Sequence, residues 1–275
     1  MRSLARAGCC LTVALLSGRA SAAQTSANLD AERADFARWL ATSPVSPYAA
    51  IYHQPFTGDL VFGPGGDPAL ATLPPATLTQ GMLRLTLRTS DGERTVPRNR
   101  DVPLAGWRIR VGGDRGDSRV TVFGVPPEVN PPGWYPIDPA VVIAGTLLPP
   151  DRRETRRMLG LDGLEVEATL AGSFVGEMSG RGLRLTVYRM PEPGSEESEL
   201  NIFFRDGSSG AGTYPAGRFL ALQPLGDGRY RADFNRARNP FCAYNSIFPC
   251  PLPWRGNQIE VSIEAGERYH AGDPE

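Results

Sequence analysis

Residues 164–170, LEVEATL, alternate apolar and polar side chains. The same alternation occurs in RLTVY at 184–188 and in QIEVSIEA at 258–265. Successive side chains of a β-strand point to opposite faces of a sheet, so each segment should bury one face and expose the other. The three segments therefore predict an antiparallel sheet in the C-terminal part of the chain.

Short apolar runs separated by turn residues such as Asp91-Gly92 extend this pattern over most of the sequence. Regular short strands with such turns are typical of sandwiches and barrels. The predicted fold class is therefore mainly β, with antiparallel sandwich-like or barrel-like domains and a short N-terminal helix. The other predicted strands are MLRLTLRT (82–89), GWRIRVG (106–112), SRVTVFG (118–124), AVVIAGTLL (140–148), ELNIFFRD (199–206), GRFLALQPL (217–225) and GRYRADFN (228–235).

Changes in composition divide the chain into parts. A stretch with six prolines, VPPEVNPPGWYPIDP at 125–139, predicts a surface linker, because proline removes backbone donors and stiffens the chain. After it, DRRETRRML at 151–159 predicts one or two helical turns. The predicted parts are a signal peptide (1–22), an N-terminal helix (23–45), a small β-sandwich-like subdomain (46–125) and a C-terminal antiparallel β-domain (126–275).

The first 22 residues have the features of a secretory signal peptide. Arg2 and Arg6 precede a short apolar run, and small residues follow at Ala20 and Ala22. The run is too short to span a bilayer, so we expect cleavage after Ala22 or Ala23 and a periplasmic or secreted mature protein without a membrane span.

The composition narrows the possible functions. The 275 residues carry a net charge of -1, which gives no support for nucleic-acid binding. The sequence contains no lysine, and this excludes Schiff-base chemistry and a Walker-type phosphate lysine. No cofactor is predicted, and the oligomeric state is left open.

Hydrolase and metal motifs are absent from the sequence. Its two histidines, His53 and His270, are not accompanied by a Gly-x-Ser-x-Gly motif, so a serine hydrolase triad is not predicted. Neither His-x-x-x-His nor Cys-x-x-Cys occurs, and no metal site is predicted.

Two polar segments are the candidate sites. The glycine-rich segment 206–218 can present backbone N–H groups and the Arg218 fork to an anion, and 233–254 adds amides, arginines and aromatics. The alternative is structural: an arginine paired with a nearby aspartate, and asparagines that hold turns together. The candidate ligand-binding residues are Thr213, Tyr214, Arg218, Asn235, Arg236, Asn239 and Tyr244, and the candidate catalytic residues are Asp206 and Asp233.

Signal-peptide cleavage would leave Cys242 and Cys250 as the mature protein's pair of cysteines. In an exported protein, an even pair at short spacing predicts a disulfide. Closing this small loop would stabilise the fold by about 2.5 kcal/mol on the chain-entropy estimate.

The C-terminal third resembles the DUF1684 family, whose members have no known function. The resemblance implies a residue set and an architecture but no activity. It covers Thr213, Tyr214, Gly217, Arg218, Asp233, Phe234, Asn235, Ala237, Asn239, Pro240, Cys242, Ala243, Cys250–Pro253, Asn257 and Ala265–Glu267. Two features depart from the family pattern: the turn before Asp233 is shorter, and the acidic loop at 191–199 is an insertion. Some members of the family lack export signals, so a redox or ligand role for the two cysteines stays open beside a structural one.

The N-terminal strand block is loosely similar to forkhead-associated domains, with the turn at 63–67 in place of their early glycine turn. The residues that read phosphothreonine in that fold are missing here, so phosphopeptide recognition is not expected.

Two hypotheses about function follow. The first is an exported binding or structural module, possessing a polar and aromatic site at 213–218 and 233–250. The second is a hydrolase- or lyase-type enzyme for a small anionic substrate, in which Arg218 and Arg236 clamp the substrate and Asp206 or Asp233 is the general base. The enzyme requires Arg218, Asp233 and Asn235 to converge on an open pocket; the alternative expects them to bond to one another with no cavity.

Overall fold

The chain folds into one long helix and two β-rich halves. A computed structural model describes residues 13–113, 116–130, 132–191 and 197–269. Helix α1 spans Val13–Thr42 and ends before Pro44, where proline prevents its continuation. It begins upstream of residue 23, where the sequence predicted the N-terminal helix to start. Residues 1–12, with the charged start of the predicted signal peptide, and His270 lie outside the described residues.

The N-terminal half contains two four-stranded antiparallel sheets. Their strands are β1 (Ala50–Pro55), β2 (Asp59–Phe62), β3 (Ala76–Gln80), β4 (Leu85–Thr89), β5 (Gly92–Val96), β6 (Asp101–Leu104), β7 (Trp107–Gly112) and β8 (Arg119–Phe123). One sheet has the order β1-β8-β7-β6 and the other the order β2-β3-β4-β5. Apolar side chains from both sheets, such as Leu78, Leu87 and Ile109, pack into one core between them.

The C-terminal half is built around an eight-stranded sheet. Its strands are β9 (Val142–Leu148), β10 (Thr155–Leu159), β11 (Glu165–Met178), β12 (Arg181–Pro191), β13 (Ser198–Phe204), β14 (Arg218–Ala221), β15 (Gln223–Gly226) and β16 (Arg229–Asp233). The order is β14-β13-β12-β11-β9-β16-β15, and β10 pairs with β11 outside this path. All pairings are antiparallel, which confirms the predicted mainly β, antiparallel fold class.

The long hairpin of β11 and β12 forms the middle of this sheet. Ser179 and Gly180, at its tip, have φ angles of 53° and 75°, and two positive φ values match a tight two-residue hairpin turn. Gly172 interrupts the pairing with a bulge, and a Cβ there would lie 1.9 Å from the carbonyl oxygen of Leu148. A larger residue at 172 would therefore collide with β9.

The eight-stranded sheet has buried apolar side chains on both of its faces. The inner face holds a core that includes Phe174, Leu185 and Phe234. The outer face packs on α1, on the N-terminal half and on the loop at 241–254, through residues such as Phe203 and Trp254. The helix and the C-terminal loop thus cover what would otherwise be an exposed apolar sheet.

Two local predictions are wrong. Residues 151–159 do not form helical turns, because Thr155–Leu159 is β10 and pairs with Glu165–Thr169 of β11. QIEVSIEA at 258–265 is not a regular strand, and a single bridge joins Gln258 to Arg205. The alternation at 258–265 is reflected in burial only in part, since Ile259 and Ile263 are buried but Val261, between them, is exposed.

Within the part of the chain that the structure describes, no helix combines the length and hydropathy that a membrane crossing needs.

Candidate functional site

Arg218 lies inside the C-terminal half rather than at a surface. Its side chain is fully buried, and its Nη2 donates to Asp206 Oδ2 at 2.7 Å and to the Ile263 carbonyl at 3.0 Å. Its Nη1 donates to the carbonyl of Ala265, and the guanidinium lies 5.3 Å from the Phe204 ring centroid. Burial lowers the pKa of Arg218, and the Asp206 carboxylate opposes this shift.

Asp206 is equally enclosed. Its Oδ1 accepts from the backbone N–H of Ser208 at 2.6 Å and of Ile263 at 3.3 Å, and also from the Ser208 hydroxyl. The Ser208 hydroxyl lies 2.9 Å from Thr213 Oγ1. Asp206, Thr213 and Arg218, which the sequence placed around a ligand, are joined instead in a buried network that bonds to itself.

Asp233 and Asn235 anchor helix α1. Asn235 Nδ2 donates to Asp233 Oδ1 at 2.9 Å and to the Asp138 carbonyl at 2.8 Å, and Asn235 Oδ1 accepts from the Asp138 N–H at 2.8 Å. Arg33 of the helix donates to the Asn235 carbonyl at 2.9 Å and to the Tyr135 carbonyl at 3.0 Å. Asp233 and Asn235 are buried and do not converge with Arg218 on an open pocket.

A third buried cluster joins Asn239, Tyr244 and Glu267. The Tyr244 hydroxyl lies 2.6 Å and 2.7 Å from the two carboxyl oxygens of Glu267, and the Asn239 N–H donates to Oε2 at 2.8 Å. All three residues are almost fully buried. Burial raises the pKa of Glu267 to about 7, although the Tyr244 and Asn239 hydrogen bonds act in the opposite direction.

The predicted disulfide is not formed in the structure. Cys242 is a buried free thiol and Cys250 an exposed one. The Tyr214 hydroxyl lies between them, 3.4 Å from Cys242 Sγ and 3.2 Å from Cys250 Sγ. Burial raises the pKa of the Cys242 thiol to about 12, and the neighbouring Cys250 adds to this shift, so Cys242 is not a reactive thiolate at neutral pH.

His53 lies at the contact between the two halves. Its ring packs 4.7 Å from the Phe248 ring, and its Nδ1 lies 2.8 Å from Thr121 Oγ1. Burial lowers the pKa of His53 to about 4, with the charge of Arg119 adding to the effect. The described residues contain no group of three or more histidine, cysteine, aspartate and glutamate side chains placed to hold a metal ion.

One open cleft brings arginines and aromatic rings together beside α1. It has a volume of about 410 Å³ and lies between α1 and the strand ends of the C-terminal half. We call it the α1 cleft, and its lining residues are Leu29, Glu32, Arg33, Phe36, Trp134, Glu199, Ala221, Leu222, Gln223, Pro224, Arg236 and Arg238.

Aromatic rings hold two arginines of the α1 cleft. The Arg33 guanidinium lies 4.9 Å from the Trp134 ring centroid, and that of Arg238 lies 5.6 Å from the Phe36 ring. Arg236 forms an ion pair with Glu32 and lies 3.4 Å from Asp233 Oδ2. Burial lowers the pKa of Arg33 and of Arg236, since their guanidinium groups lose hydration.

Only one residue from the sequence-based candidates, Arg236, lines the α1 cleft. Sequence reasoning missed Arg33, Trp134 and Arg238 as cleft residues. Arg238 lies in the same motif as Arg236, two positions further on, and this spacing was an available signal. Arg33 and Trp134 come from the helix and the proline-rich linker, and nothing in the sequence connects those segments to 236–238.

A comparison with protein-family models agrees with the resemblance seen in the C-terminal third. A family model described as "Protein of unknown function (DUF1684)" matches residues 133–268, which confirms the predicted family. Among solved structures, the chain is similar to the solution NMR structure of an uncharacterized protein of Haloarcula marismortui. The identity is 29%, the TM-score is 0.45, and the match covers 52% of this chain and 78% of that one. The comparison with curated proteins found no match.

Proposed function

We propose that the protein binds a small anionic molecule. The family that residues 133–268 match has no known function, so the proposal rests on the α1 cleft itself. The observation that carries this proposal is the convergence of Arg33, Arg236 and Arg238 on one open cleft. Two acidic residues, Glu32 and Glu199, line the same cleft, so the charges of the lining sum to one positive charge.

The chemistry of arginine favours carboxylates or phosphates as ligands. A guanidinium presents its donors in a planar fork that matches both groups, and it remains charged at every physiological pH. The stacking of Arg33 on Trp134 and of Arg238 on Phe36 restricts both side chains, so less conformational entropy is lost on binding. Gln223 adds an amide for a further hydrogen bond.

Binding is better supported than catalysis. Asp206 is sealed in its ion pair with Arg218, and Asp233 is buried beneath the cleft among the anchors of α1. Neither proposed general base lines the cleft, so neither Asp206 nor Asp233 faces a ligand held by Arg236. The geometry therefore favours the binding module over the enzyme.

We expect substitution of the arginines to weaken anion binding without unfolding the protein. Inorganic phosphate, succinate and citrate are suitable probes, with affinities measured by isothermal titration calorimetry. Arg238→Gln should weaken the tightest of these by about tenfold or more, because a charge-assisted hydrogen bond is lost. Arg229→Gln, which changes an exposed arginine of β16 outside the cleft, is the matched control and should bind normally. Equal affinities of both variants, or no binding of any probe to the wild type, would argue against the proposal.

We also propose that the chain is exported and that Cys242 and Cys250 become a disulfide after export. The support is the signal-like start of the sequence and the shared contact of both thiols with the Tyr214 hydroxyl. A thiol–disulfide oxidant would first form a mixed disulfide with the exposed Cys250. Cys242, which is protonated in the reduced fold, would then lose its proton and displace the oxidant as a dithiol, so that the two thiols together lose two protons and two electrons.

Intact-mass measurement tests both the export and the disulfide. The protein is expressed from the full sequence in a bacterium and recovered from the cell envelope. We expect a chain that lacks its first 22 or 23 residues and that is lighter by two hydrogen atoms than the reduced form. Iodoacetamide should modify neither cysteine until a reductant is added. Labelling of both thiols without reduction would exclude the disulfide, and an uncleaved N-terminus would exclude the processing.

A further inference from the structure

The eight-stranded sheet has a gap along one side of β12. Strand β12 pairs with β11 along most of its length, from Arg181 to Arg189. On its other side it pairs with β13 only from Tyr188 to Pro191. Among the described residues, the stretch 181–187 therefore has one edge without a neighbouring strand. Such an edge presents unpaired N–H and C=O groups, which can pair with another chain.

A second extended edge faces this one. Residues 257–261 run beside 205–207, where the Ile259 N–H donates to the Arg205 carbonyl at 2.8 Å and the Arg205 N–H donates to the Asn257 carbonyl at 3.0 Å. No backbone hydrogen bond joins 258–262 to 181–185 within the described ranges. A cleft of about 680 Å³ separates the two edges and is lined by both.

The side chain of Asn257 closes one end of this cleft. It pairs with the backbone N–H and C=O groups of β12, as a neighbouring strand would. Its Oδ1 accepts from the Thr186 N–H at 2.7 Å, and its Nδ2 donates to the Thr186 carbonyl at 2.9 Å. The backbone groups of a strand point to its two sides alternately, so Gly182 and Arg184 direct their N–H and C=O groups to the same side as Thr186. Beyond Asn257, these groups face the open cleft.

The floor of the cleft is apolar and its rim is charged. Leu183 and Leu185 of β12 and Ile259 of the opposite edge are 9% exposed or less, and all belong to the inner core. Exposed Arg181 and Arg184 lie on the β12 side, and exposed Glu260 and Asp138 also line the cleft.

We propose that this gap binds an extended peptide segment of a partner protein by β-strand addition. The backbone of the segment pairs with Gly182 and Arg184 on one side and with 258–262 on the other. Its alternate apolar side chains lie on the floor, and its outward acidic side chains lie beside Arg184, whose side chain is on the face opposite Leu183 and Leu185. A strand rises about 3.3 Å per residue, so the edge from 181 to 186 accommodates roughly five residues of peptide.

Proline at Gly182 gives a sharp test. A Cβ at Gly182 meets nothing within 4 Å, and the N–H at this position points away from β11, so a proline removes an edge donor without breaking the hairpin. Gly182→Ala adds a side chain at the same place but keeps the N–H, which makes it the matched control.

The probe is the peptide acetyl-Glu-Val-Thr-Val-Glu-amide, with hydrogen–deuterium exchange as the readout. We expect this peptide to slow the exchange of the Gly182 and Arg184 amides in the wild type. It should bind Gly182→Ala with an affinity similar to that for the wild type, and Gly182→Pro at least tenfold more weakly. The same peptide with every second amide N-methylated should give no protection of these amides. Because this comparison uses the wild-type protein, it does not depend on whether Gly182→Pro folds. Equal protection by both peptides, or by neither, would overturn the proposal, and equal binding of a lysine–valine peptide would refute its charge preference.

Discussion

Arg218→Ala is expected to lower the free energy of unfolding by about 3–5 kcal/mol, enough to unfold a protein of ordinary stability. The substitution leaves the Asp206 carboxylate without its cationic partner in a site where both side chains are fully buried. It also removes the donors to the carbonyls of Ile263 and Ala265. Urea unfolding followed by circular dichroism measures the loss, or shows directly that the variant is unfolded.

A double-mutant cycle separates the ion pair from other effects of the substitution. Asp206→Asn keeps an acceptor for the N–H groups of Ser208 and Ile263, and Arg218→Met keeps much of the side-chain volume. We expect the double variant to lose less stability than the sum of the two single variants, because neither charge is then buried alone. Additive losses would show that the two charges do not stabilise each other, and a fully stable Arg218→Ala would show that Arg218 is not a structural residue.

Glu267→Gln is expected to raise the free energy of unfolding above neutral pH. Compared with the effect of the same substitution near pH 5, the gain is about 3 kcal/mol. The folded protein raises the pKa of Glu267 from 4.5 to about 7, so the folded state holds the proton more tightly than the unfolded state. The contribution of Glu267 is therefore fully present below pH 4.5 and is lost as the pH rises through 7. A glutamine cannot ionise, and its carbonyl still accepts from Tyr244 or Asn239.

The comparison of wild type and Glu267→Gln at each pH isolates this one group. Such isolation is needed because His53 has the opposite dependence: its depressed pKa means that its contribution is lost as the pH falls from 6.5 towards 4. Urea unfolding of both proteins between about pH 5 and pH 8 provides the difference. A difference that does not change with pH would mean that Glu267 is ionised in the folded protein throughout this range.

The strands could be predicted from the sequence where a paired neighbouring strand determines which face of the segment is buried. LEVEATL forms the first half of β11 and RLTVY lies in β12, because each pairs along its length with a strand of the same sheet, β10 for the first and β11 for the second. QIEVSIEA has the same alternation but faces a gap, so it forms a single bridge instead of a ladder. DRRETRRML has a helical composition, yet its last five residues pair with β11 because an edge is available there. In both cases the tertiary position of the segment outweighed its local pattern.

The candidate site could be predicted only in part, and the reason is burial. An arginine that binds a ligand and an arginine that pairs with a buried aspartate have the same appearance in a sequence. Arg218 and Arg236 were indistinguishable on that basis, yet one is sealed in the interior and the other lines the α1 cleft. The cleft also requires Arg33 and Trp134, which are separated from Arg236 by long stretches of chain, and only the folded structure shows that they meet.

Because α1 is anchored to the C-terminal half, the α1 cleft is built from more of the chain than the segment that matches the family model. Residues 133–268 contain the sheet, the buried Arg218 network and Arg236 and Arg238, but Arg33 and Phe36 lie about a hundred residues upstream of this segment. Arg33 reaches across to the carbonyls of Asn235 and Tyr135, so the helix supplies one wall of the α1 cleft. Residues 133–268, excised by themselves, would lack one wall of the α1 cleft, so the proposed binding unit is longer than the region that matches the family model.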